Sequence, residues 1–193
     1  SSHEEIGLIG VVTPHLLANI AAATAISRAC GVSPEAIGAA IRDFKLDGHR
    51  IQFVANQDDV LWFDDSKATN AHAAQASLQS FENVIWIVGG LLKGVDIAPL
   101  VKTNVNRLKA AIVIGKDRTD VLAALEANVG NFQVIEIVES DNQKVMSRAV
   151  EAARSIASPG DVVLLAPAAA SMDQFKDYAD RGNQFAKAVV GKL

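Results

Sequence analysis

The 193-residue sequence contains one cysteine, which excludes a disulfide framework within the chain. No uninterrupted apolar run reaches the roughly 20 residues that a membrane-spanning helix needs, and the N-terminus lacks the basic and apolar regions of a signal peptide. The 22 acidic residues outnumber the 18 basic ones, and the formal charge of −4 leaves no basic surplus for nucleic acid. These absences predict a cytoplasmic protein that binds neither nucleic acid nor a membrane.

Two phosphate-binding motifs are also absent. The sequence contains no G-x-G-x-x-G, the dinucleotide fingerprint, and no G-x-x-x-x-G-K-[ST], the P-loop. The chain therefore has no P-loop of its own to cradle a nucleotide's phosphates. Because it begins with Ser1 rather than methionine, at the edge of a predicted strand, we expect it to be part of a longer protein.

Half of the residues are hydrophobic, which provides the core of one full domain and part of another. Within residues 1–47, a short apolar run at 6–12 is followed by two predicted helices. The pattern of residues 45–48 indicates a linker in which Gly48 breaks the helix. Residues 48–193 then alternate between strands and helices. The sequence thus predicts a mainly helical part over 1–47 and a separate α/β domain over 48–193.

The alternation predicts a Rossmann-like α/β fold with a mostly parallel sheet and helices on both faces. Continuously apolar strands such as Val84-Ile85-Trp86-Ile87-Val88 are typical of strands covered on both sides. The predicted strands cover 50–55, 60–64, 84–88, 111–114, 134–138 and 162–166. The predicted helices cover 15–30, 33–44, 70–81, 96–108, 118–127, 142–157 and 173–190.

The most distinctive segment is Asp64-Asp65-Ser66-Lys67-Ala68-Thr69-Asn70, which follows an apolar strand and precedes an alanine-rich helix. Ligands of open α/β sheets bind beyond the carboxyl ends of the strands, and a helix N-terminus favours negative charge. This loop can hold a charged, metal-chelated ligand. It is equally consistent with an ordinary polar loop in which Ser66 or Thr69 caps the helix.

Two further loops follow buried strands at the same predicted edge. Gly89-Gly90-Leu91-Leu92-Lys93-Gly94 allows close backbone approach and places Lys93 on a turn, where it can meet a carboxylate or phosphate or remain solvated. In the segment 166–174, Ser171 and Gln174 fit a capping box at the start of the final helix, where free backbone N–H groups can bind a carboxylate.

The remaining polar candidates carry weaker signals. Arg50 follows His49 at the linker, where it could reach a ligand of a neighbouring domain, although surface charge is the more common role. His15 and Asn19 share a helical face, but no second histidine or cysteine is near enough to predict a metal site. Cys30 ends an apolar helical stretch and is predicted to be a small hydrophobic residue rather than a catalytic one.

The D-D-S-K-A-T-N loop resembles the signature that opens the C-terminal domain of the Mur ligases, the ATP-dependent amide ligases of peptidoglycan precursor synthesis. The pattern resembles most closely that of the D-glutamate-adding branch, in forms similar to those of actinobacterial enzymes. Besides residues 64–70, several other segments carry this resemblance. They are Pro14-His15 with Asn19, Gly48-His49-Arg50, Gly89-Gly90 with Lys93, Gly160-Asp161, 167–175, Arg181-Gly182-Asn183 and Phe185.

By this resemblance, residues up to about 45 are the end of a central ATP-binding domain, and the remainder is the domain that delivers the amino acid. The P-loop, the Mg²⁺ ligands and a modified lysine would lie upstream of this chain. The implied substrates are ATP, D-glutamate and UDP-N-acetylmuramoyl-L-alanine, with Mg²⁺ as cofactor held mainly by the upstream part, and the implied protein is a monomer.

The resemblance also implies roles for individual residues. The nucleotide would be contacted by Asn19, Arg50, Asp65 and Lys67, and Lys67 is the expected catalytic residue because its charge would neutralise the transferred phosphoryl group. Thr69 and Lys93 would hold the α-carboxylate of D-glutamate. Ser171 and the backbone near Tyr178 would hold its side-chain carboxylate.

Two positions depart from the family pattern. Leu16 stands where an asparagine is expected, which removes part of the implied adenine contact, and Tyr178 stands where phenylalanine is usual. Two other functions remain open at this point. One is a related ligase of the folylpolyglutamate type, and the other is a non-enzymatic Rossmann-like ligand-binding module.

Overall fold

The computed structural model describes residues 14–44, 47–128 and 131–191. The chain divides into two compact units, Ser1–Asp47 and Gly48–Leu193. The apolar run predicted at 6–12 lies outside the described residues, as do residues 45 and 46 of the predicted linker.

Within its described residues, the first unit contains two helices, α1 (Pro14–Ala29) and α2 (Pro34–Asp43), as the sequence predicts. The hydroxyl of Ser33 accepts a hydrogen bond from the Ala36 N–H at 3.2 Å, and Pro34 occupies the first turn, so the local cap explains where α2 begins. The expectation that Cys30 is buried is wrong: the thiol is exposed, because α1 ends at Ala29 and Cys30 lies in the following turn.

The second unit is built on a six-stranded sheet. Its strands are β1 (Gln52–Gln57), β2 (Val60–Asp64), β3 (Val84–Gly89), β4 (Leu108–Ile114), β5 (Gln133–Glu136) and β6 (Val162–Leu165). They lie in the order β1-β2-β6-β3-β4-β5, and all neighbours are parallel except β1 and β2. Asp58 and Asp59, with φ of 53° and 60°, form the two-residue turn that joins this antiparallel pair.

The helices of this unit are α3 (Ala71–Leu78), α4 (Ala98–Asn104), α5 (Thr119–Ala127), α6 (Val145–Ile156) and α7 (Tyr178–Val190). The connections from β2 through β5 advance in one direction across the sheet, so right-handed crossovers place α3, α4 and α5 side by side on one face. The connection through α6 runs back to β6, which places α6, with α7 packed beside it, on the other face. The predicted Rossmann-like fold with a mostly parallel sheet is confirmed.

Every residue of β3 is buried, which agrees with its position inside a doubly covered sheet. The face that carries α6 and α7 buries Ile85 and Ile87 of β3 with Ile112 of β4, packed in one cluster with Phe185 of α7. Burial of each such side chain contributes about 1.5–3 kcal/mol to folding. Within the described residues, no helix combines the length and apolarity needed to cross a bilayer.

The boundaries that differ most from the prediction are the end of α4 and the start of α7. The predicted helix over 96–108 ends at Asn104, a single 3₁₀ turn follows over Val105–Arg107, and β4 already begins at Leu108. Leu108 pairs with Val84 of β3, so sheet pairing overrides the local helical preference. The final helix begins at Tyr178 instead of residue 173, because the side chain of Asp177 caps it by accepting a hydrogen bond from the Asp180 N–H at 2.7 Å.

Because β6 lies between β2 and β3, adjacent strands send their following loops to opposite faces of the sheet. The loops after β2 and β3 lead to α3 and α4, whereas the loop after β6 leads to α7. Such a switch in direction opens a crevice at the carboxyl ends of the strands, which is where open α/β sheets bind ligands. The three predicted loops therefore meet at this edge.

Candidate functional site

Backbone hydrogen bonds join the three loops to one another. The Ala168 N–H donates to the Ala68 carbonyl at 3.0 Å, which connects the loop after β6 to the loop after β2. Leu91 and Ala170 exchange a pair of bonds of 2.8 and 3.1 Å, which connects the loop after β6 to the loop after β3. The edge is thus a single bonded layer, and its side chains are held at defined positions.

Gly90 makes this layer possible. Its φ is 126°, and a Cβ at this position would lie 2.5 Å from the Ala170 carbonyl oxygen and 3.4 Å from Nη1 of Arg181. Only glycine fits both the backbone conformation and the close approach. The expectation that the Gly89-Gly90 pair permits close backbone approach is confirmed.

Three predicted ligand-binding groups lie on this layer, one on each loop. Thr69 is half-buried, Lys93 is exposed on a turn with φ of 56°, and Ser171 is buried with 3% of its surface exposed. Among the described residues, none of their hydroxyl or ammonium groups is assigned a hydrogen bond or ion pair. Thr69 adjoins Ala68, Ser171 adjoins Ala170, and Lys93 is two residues from Leu91, so the interloop bonds bring the three groups to one edge.

The ammonium of Lys67 lies over the ring of Tyr178, 5.5 Å from the ring centroid. Tyr178 is the first residue of α7, so its backbone N–H has no acceptor inside the helix and belongs to the positive helix end. The Tyr178 residue is 36% exposed. The aromatic face of Tyr178 is therefore one of the contacts that position the Lys67 ammonium on this loop.

Asp65 points into the protein rather than toward solvent. One carboxylate oxygen accepts from the Ile51 N–H at 3.3 Å, and the other accepts from the hydroxyl of Ser77 on α3. Burial raises the pKa of Asp65 to about 6, and the charge of Asp64 adds to the shift. The sequence places Asp65 among the nucleotide contacts, whereas the structure shows both of its oxygens bonded within the domain.

Asp64 forms a second internal pair on the same loop. Its Oδ2 is 2.6 Å from Nδ1 of His49, and its Oδ1 accepts from the Ser66 N–H at 2.8 Å. Burial raises the pKa of the Asp64 carboxyl, although the hydrogen bonds oppose the shift. Gly182 of α7 packs directly against this pair, because a Cβ there would collide with the His49 ring and the Asp64 carboxylate.

Arg181 is the central buried cation of the site. It is completely buried and donates from Nε to the Ser66 hydroxyl at 2.9 Å, from Nη2 to the Ser66 carbonyl at 2.8 Å and from Nη1 to the Ala169 carbonyl at 3.1 Å. Burial lowers the pKa of Arg181 to about 10, so the side chain stays charged at neutral pH. The guanidinium fixes the loop after β2 to the loop after β6.

The segment 171–175 acts differently from the predicted capping box. The side chain of Gln174 accepts from the Gly115 N–H at 2.8 Å, and Asp173 accepts from the Lys116 N–H at 3.0 Å, so both close over the end of β4. Ser171 therefore does not cap the final helix. Nor does Ser66 or Thr69 cap α3, because Asn70 does so by accepting from the Ala73 N–H at 2.9 Å.

Two other residues predicted to contact the nucleotide are Arg50 in the second unit and Asn19 in the first. Arg50 is exposed and follows His49 at the start of the second unit. Asn19 is exposed on α1 of the first unit. Within residues 14–44, 47–128 and 131–191, no group of three histidine, cysteine or acidic side chains could hold a metal ion, so no step through Mg²⁺ is assigned to these residues.

Sequence reasoning assigned no role to Arg181, Gly182 or the His49–Asp64 pair, and it offered Ser66 only as a helix cap. Arg181 and Gly182 belong to the quoted family pattern, which was the available signal. An arginine in an amphipathic helix is otherwise typical of a solvated face, so its burial could not be predicted from its own sequence context.

Comparison with known proteins gives the family. The family model described as "Mur ligase, glutamate ligase domain" matches residues 49–169, more than half of the chain. The chain belongs to the Mur ligase family. The predicted family resemblance is confirmed.

Curated relatives of this Mur ligase chain include proteins from actinobacteria. A UDP-N-acetylmuramoylalanine--D-glutamate ligase of Leifsonia xyli subsp. xyli is 48% identical over 186 residues, which cover 96% of this chain and 36% of the relative. The protein of the same name from Thermobifida fusca is 45% identical, over 96% of this chain and 40% of the relative. The chain thus spans less than half the length of these relatives.

Solved Mur ligase structures share the fold. UDP-N-acetylmuramate-alanine ligase from Thermotoga maritima has a TM-score of 0.60 and 14% identity, covering 93% of this chain and 38% of that one. A pseudomurein peptide ligase type C from Methanothermus fervidus also has a TM-score of 0.60, with 15% identity, over 89% of this chain and 35% of that one.

Proposed function

We propose that this chain is the C-terminal part of an ATP-dependent ligase that adds D-glutamate to UDP-N-acetylmuramoyl-L-alanine during peptidoglycan precursor synthesis. One observation carries the proposal: relatives named for this reaction are 45–48% identical over 96% of the chain. In this proposal, residues 1–47 end a central ATP-binding domain and residues 48–193 deliver the amino acid.

The proposed reaction begins when ATP activates the carboxylate of UDP-N-acetylmuramoyl-L-alanine as an acyl phosphate. The amine of D-glutamate then attacks the acyl carbon, and phosphate leaves. Such chemistry depends mostly on positioning and on neutralising charge at the transferred phosphoryl group. Lys67 and Arg50 supply positive charge for the phosphates, and Asn19 in the first unit is a further proposed nucleotide contact. Mg²⁺, held mainly by the upstream part, would add charge neutralisation when bound.

The geometry of the second unit supports the amino-acid site. Thr69 and Lys93 hold the α-carboxylate, and Ser171 with the Tyr178 N–H holds the side-chain carboxylate. Support comes from the absence of side-chain partners for Thr69, Lys93 and Ser171 among the described residues, and from the interloop bonds that gather them. Two anionic groups would therefore meet an ammonium, two hydroxyls and a helix N-terminus.

The decisive test is phosphate release by the intact parent protein with ATP, Mg²⁺ and UDP-N-acetylmuramoyl-L-alanine. D-glutamate, L-glutamate, L-alanine, L-lysine and meso-diaminopimelate are offered in turn. Release with D-glutamate alone is expected. Release with another amino acid would keep the ligase but remove the assigned roles of Thr69, Lys93 and Ser171. Release with none would favour the ligand-binding module, and glutamylation of a folate would favour the folylpolyglutamate-type alternative.

Replacement of Lys93 by alanine is expected to raise the KM for D-glutamate about 10- to 100-fold, because a charge-assisted hydrogen bond contributes about 1.5–3 kcal/mol. The measurement is the steady-state KM of the parent ligase. Lys102→Ala is the matched control, since Lys102 is an exposed lysine on α4. An unchanged KM in Lys93→Ala would remove this residue from the site.

The 193-residue chain by itself is expected to release no phosphate from ATP under the same conditions, because its sequence contains no P-loop. A malachite-green assay of the purified chain tests this expectation. Turnover at a rate near that of the parent protein would contradict it.

A further inference from the structure

The segment His49-Arg50-Ile51 has an unusual backbone. His49 has φ of 64° and Ile51 has φ of 44°, so residues with left-handed conformations stand on both sides of Arg50. This region is especially unfavourable for a β-branched residue such as isoleucine, and it persists only when surrounding contacts enforce it. The direction in which the exposed Arg50 leaves the domain therefore depends on those contacts.

The enforcing contacts come from the loop after β2. The His49 side chain pairs with Asp64 at 2.6 Å, the His49 carbonyl accepts from the Lys67 N–H at 3.1 Å, and the Ile51 N–H donates to Asp65 at 3.3 Å. β1 and β2 are antiparallel with Gln52 opposite Asp64, which brings the segment alongside this loop. The acceptor for the strained residue Ile51 is thus the Asp65 carboxylate.

Asp65 is itself held by a residue that has no assigned role. Ser77 on α3 is 2% exposed, and its hydroxyl contacts the Asp65 oxygen that does not bond Ile51. The same hydroxyl also lies 3.1 Å from the Ala73 carbonyl oxygen, so its single proton is shared between that oxygen and Asp65. The bonds from Ser77 and from the Ile51 N–H together determine the rotation of the Asp65 carboxylate.

We propose that Ser77 is a positioning residue for the nucleotide site, which acts through Asp65 and the backbone of Ile51 to hold Arg50 in the direction that meets the phosphates of ATP. The inference rests on the proposed function, in which Arg50 contacts the nucleotide. It makes the buried Asp65 a support for Arg50, and it extends the nucleotide site to a buried residue on α3.

The charges around Asp65 agree with this role. The charged groups that act on the Asp65 carboxyl are Asp64 and Arg50. Burial and Asp64 disfavour its ionised form, whereas the Ser77 hydrogen bond and Arg50 favour that form. Removal of the Ser77 hydroxyl leaves one oxygen of a buried carboxylate without this donor. The carboxylate is then free to turn toward other donors and away from the Ile51 N–H.

The test measures the dissociation constant for ATP by calorimetry, and the KM for D-glutamate, in the intact parent protein. Ser77→Ala is expected to weaken ATP binding about tenfold and to change the KM for D-glutamate by less than about twofold. Ser80→Ala is the matched control, because among the described residues the Ser80 hydroxyl bonds only the carbonyl four residues back, that of Ala76 at 3.0 Å. This control is expected to change neither constant.

A double variant separates Arg50 from a direct effect of Asp65. If Ser77 acts through Arg50, Arg50→Ala combined with Ser77→Ala binds ATP no more weakly than Arg50→Ala alone. Unchanged ATP affinity in Ser77→Ala, additive losses in the double variant, or equal losses in Ser80→Ala would each overturn the inference. A parent protein that binds ATP but does not use D-glutamate would contradict the proposed amino-acid specificity and leave this inference standing.

Discussion

Replacement of Arg181 by alanine is expected to lower the free energy of unfolding by about 3–5 kcal/mol, because it leaves buried acceptors unsatisfied and opens a cavity. The Arg181 side chain is fully buried and supplies three hydrogen bonds, two to Ser66 and one to the Ala169 carbonyl. Without the guanidinium, the Ser66 and Ala169 carbonyl oxygens lose their described side-chain donors in an interior that excludes water. Urea denaturation of the purified chain measures the change.

Arg148→Ala provides the matched control for this measurement. Arg148 lies on α6 with 59% of its side chain exposed, and it pairs with the equally exposed Glu151 at 3.1 Å. Exposed pairs contribute about 0–1 kcal/mol, so the control is expected to change stability by less than about 1 kcal/mol. An effect of Arg181→Ala as small as that of Arg148→Ala would contradict the assigned structural role.

Replacement of Asp65 by asparagine is expected to raise the stability of the chain at pH 8 by about 1–3 kcal/mol. Burial raises the pKa of the carboxyl from 3.8 to about 6, so the native state holds a destabilised carboxylate at pH 8. An asparagine keeps both contacts: its oxygen accepts from the Ile51 N–H, and its amide donates to the Ser77 hydroxyl. That hydroxyl can in turn donate to the Ala73 carbonyl, 3.1 Å away.

The gain depends on pH in a defined direction. Since the native pKa of Asp65 lies above the unfolded value of 3.8, the wild type is most stable with respect to this group below about pH 4 and loses stability as pH rises through about 6. The neutral asparagine has no such loss. The difference between variant and wild type is therefore expected to be largest at pH 8 and to disappear near pH 4, as measured by thermal unfolding across the range.

Asp117→Asn is a control in which the change in stability is expected to have the opposite sign. The Asp117 side chain accepts from the Thr119 N–H at 3.1 Å, and this bond lowers the pKa of its carboxyl. Folding therefore favours the ionised form of Asp117. The stability that this carboxylate contributes is lost as pH falls through the lowered pKa. Asp117→Asn is expected to lower stability slightly at pH 8. Stability of Asp65→Asn below that of wild type at pH 8 would contradict the assigned burial of charge.

Much of the sheet followed from local pattern. Val84-Ile85-Trp86-Ile87-Val88 is apolar at every position, as a strand covered on both faces must be, and it forms the fully buried β3. The predicted boundaries were wrong where strand pairing or side-chain hydrogen bonds between distant segments determine them. Leu108 joined β4 because it pairs with Val84, and residues 173–174 stayed outside α7 because their side chains bond the end of β4.

The candidate site divides in the same way. The shared position of Thr69, Lys93 and Ser171 was predictable because they follow strands, and parallel strands end at one edge of a sheet. Asp65 and Ser66 occupy the same loop and have the same polar character, yet the structure directs their side chains inward to Ile51, Ser77 and Arg181. Polarity and loop position alone do not distinguish a group that faces a ligand from one that supports the loop.

The sequence by itself determined the α/β class, the family and the loops that meet at the candidate site, because strand burial and a contiguous motif are properties of neighbouring residues. The tertiary structure alone decided which polar side chains are internal. Arg181 lies 115 residues from Ser66 and 12 from Ala169, and His49 is 15 residues from Asp64. Such bonds form only after folding has brought β2, β6 and α7 together, and burial then makes each of them strong enough to hold the loops in place.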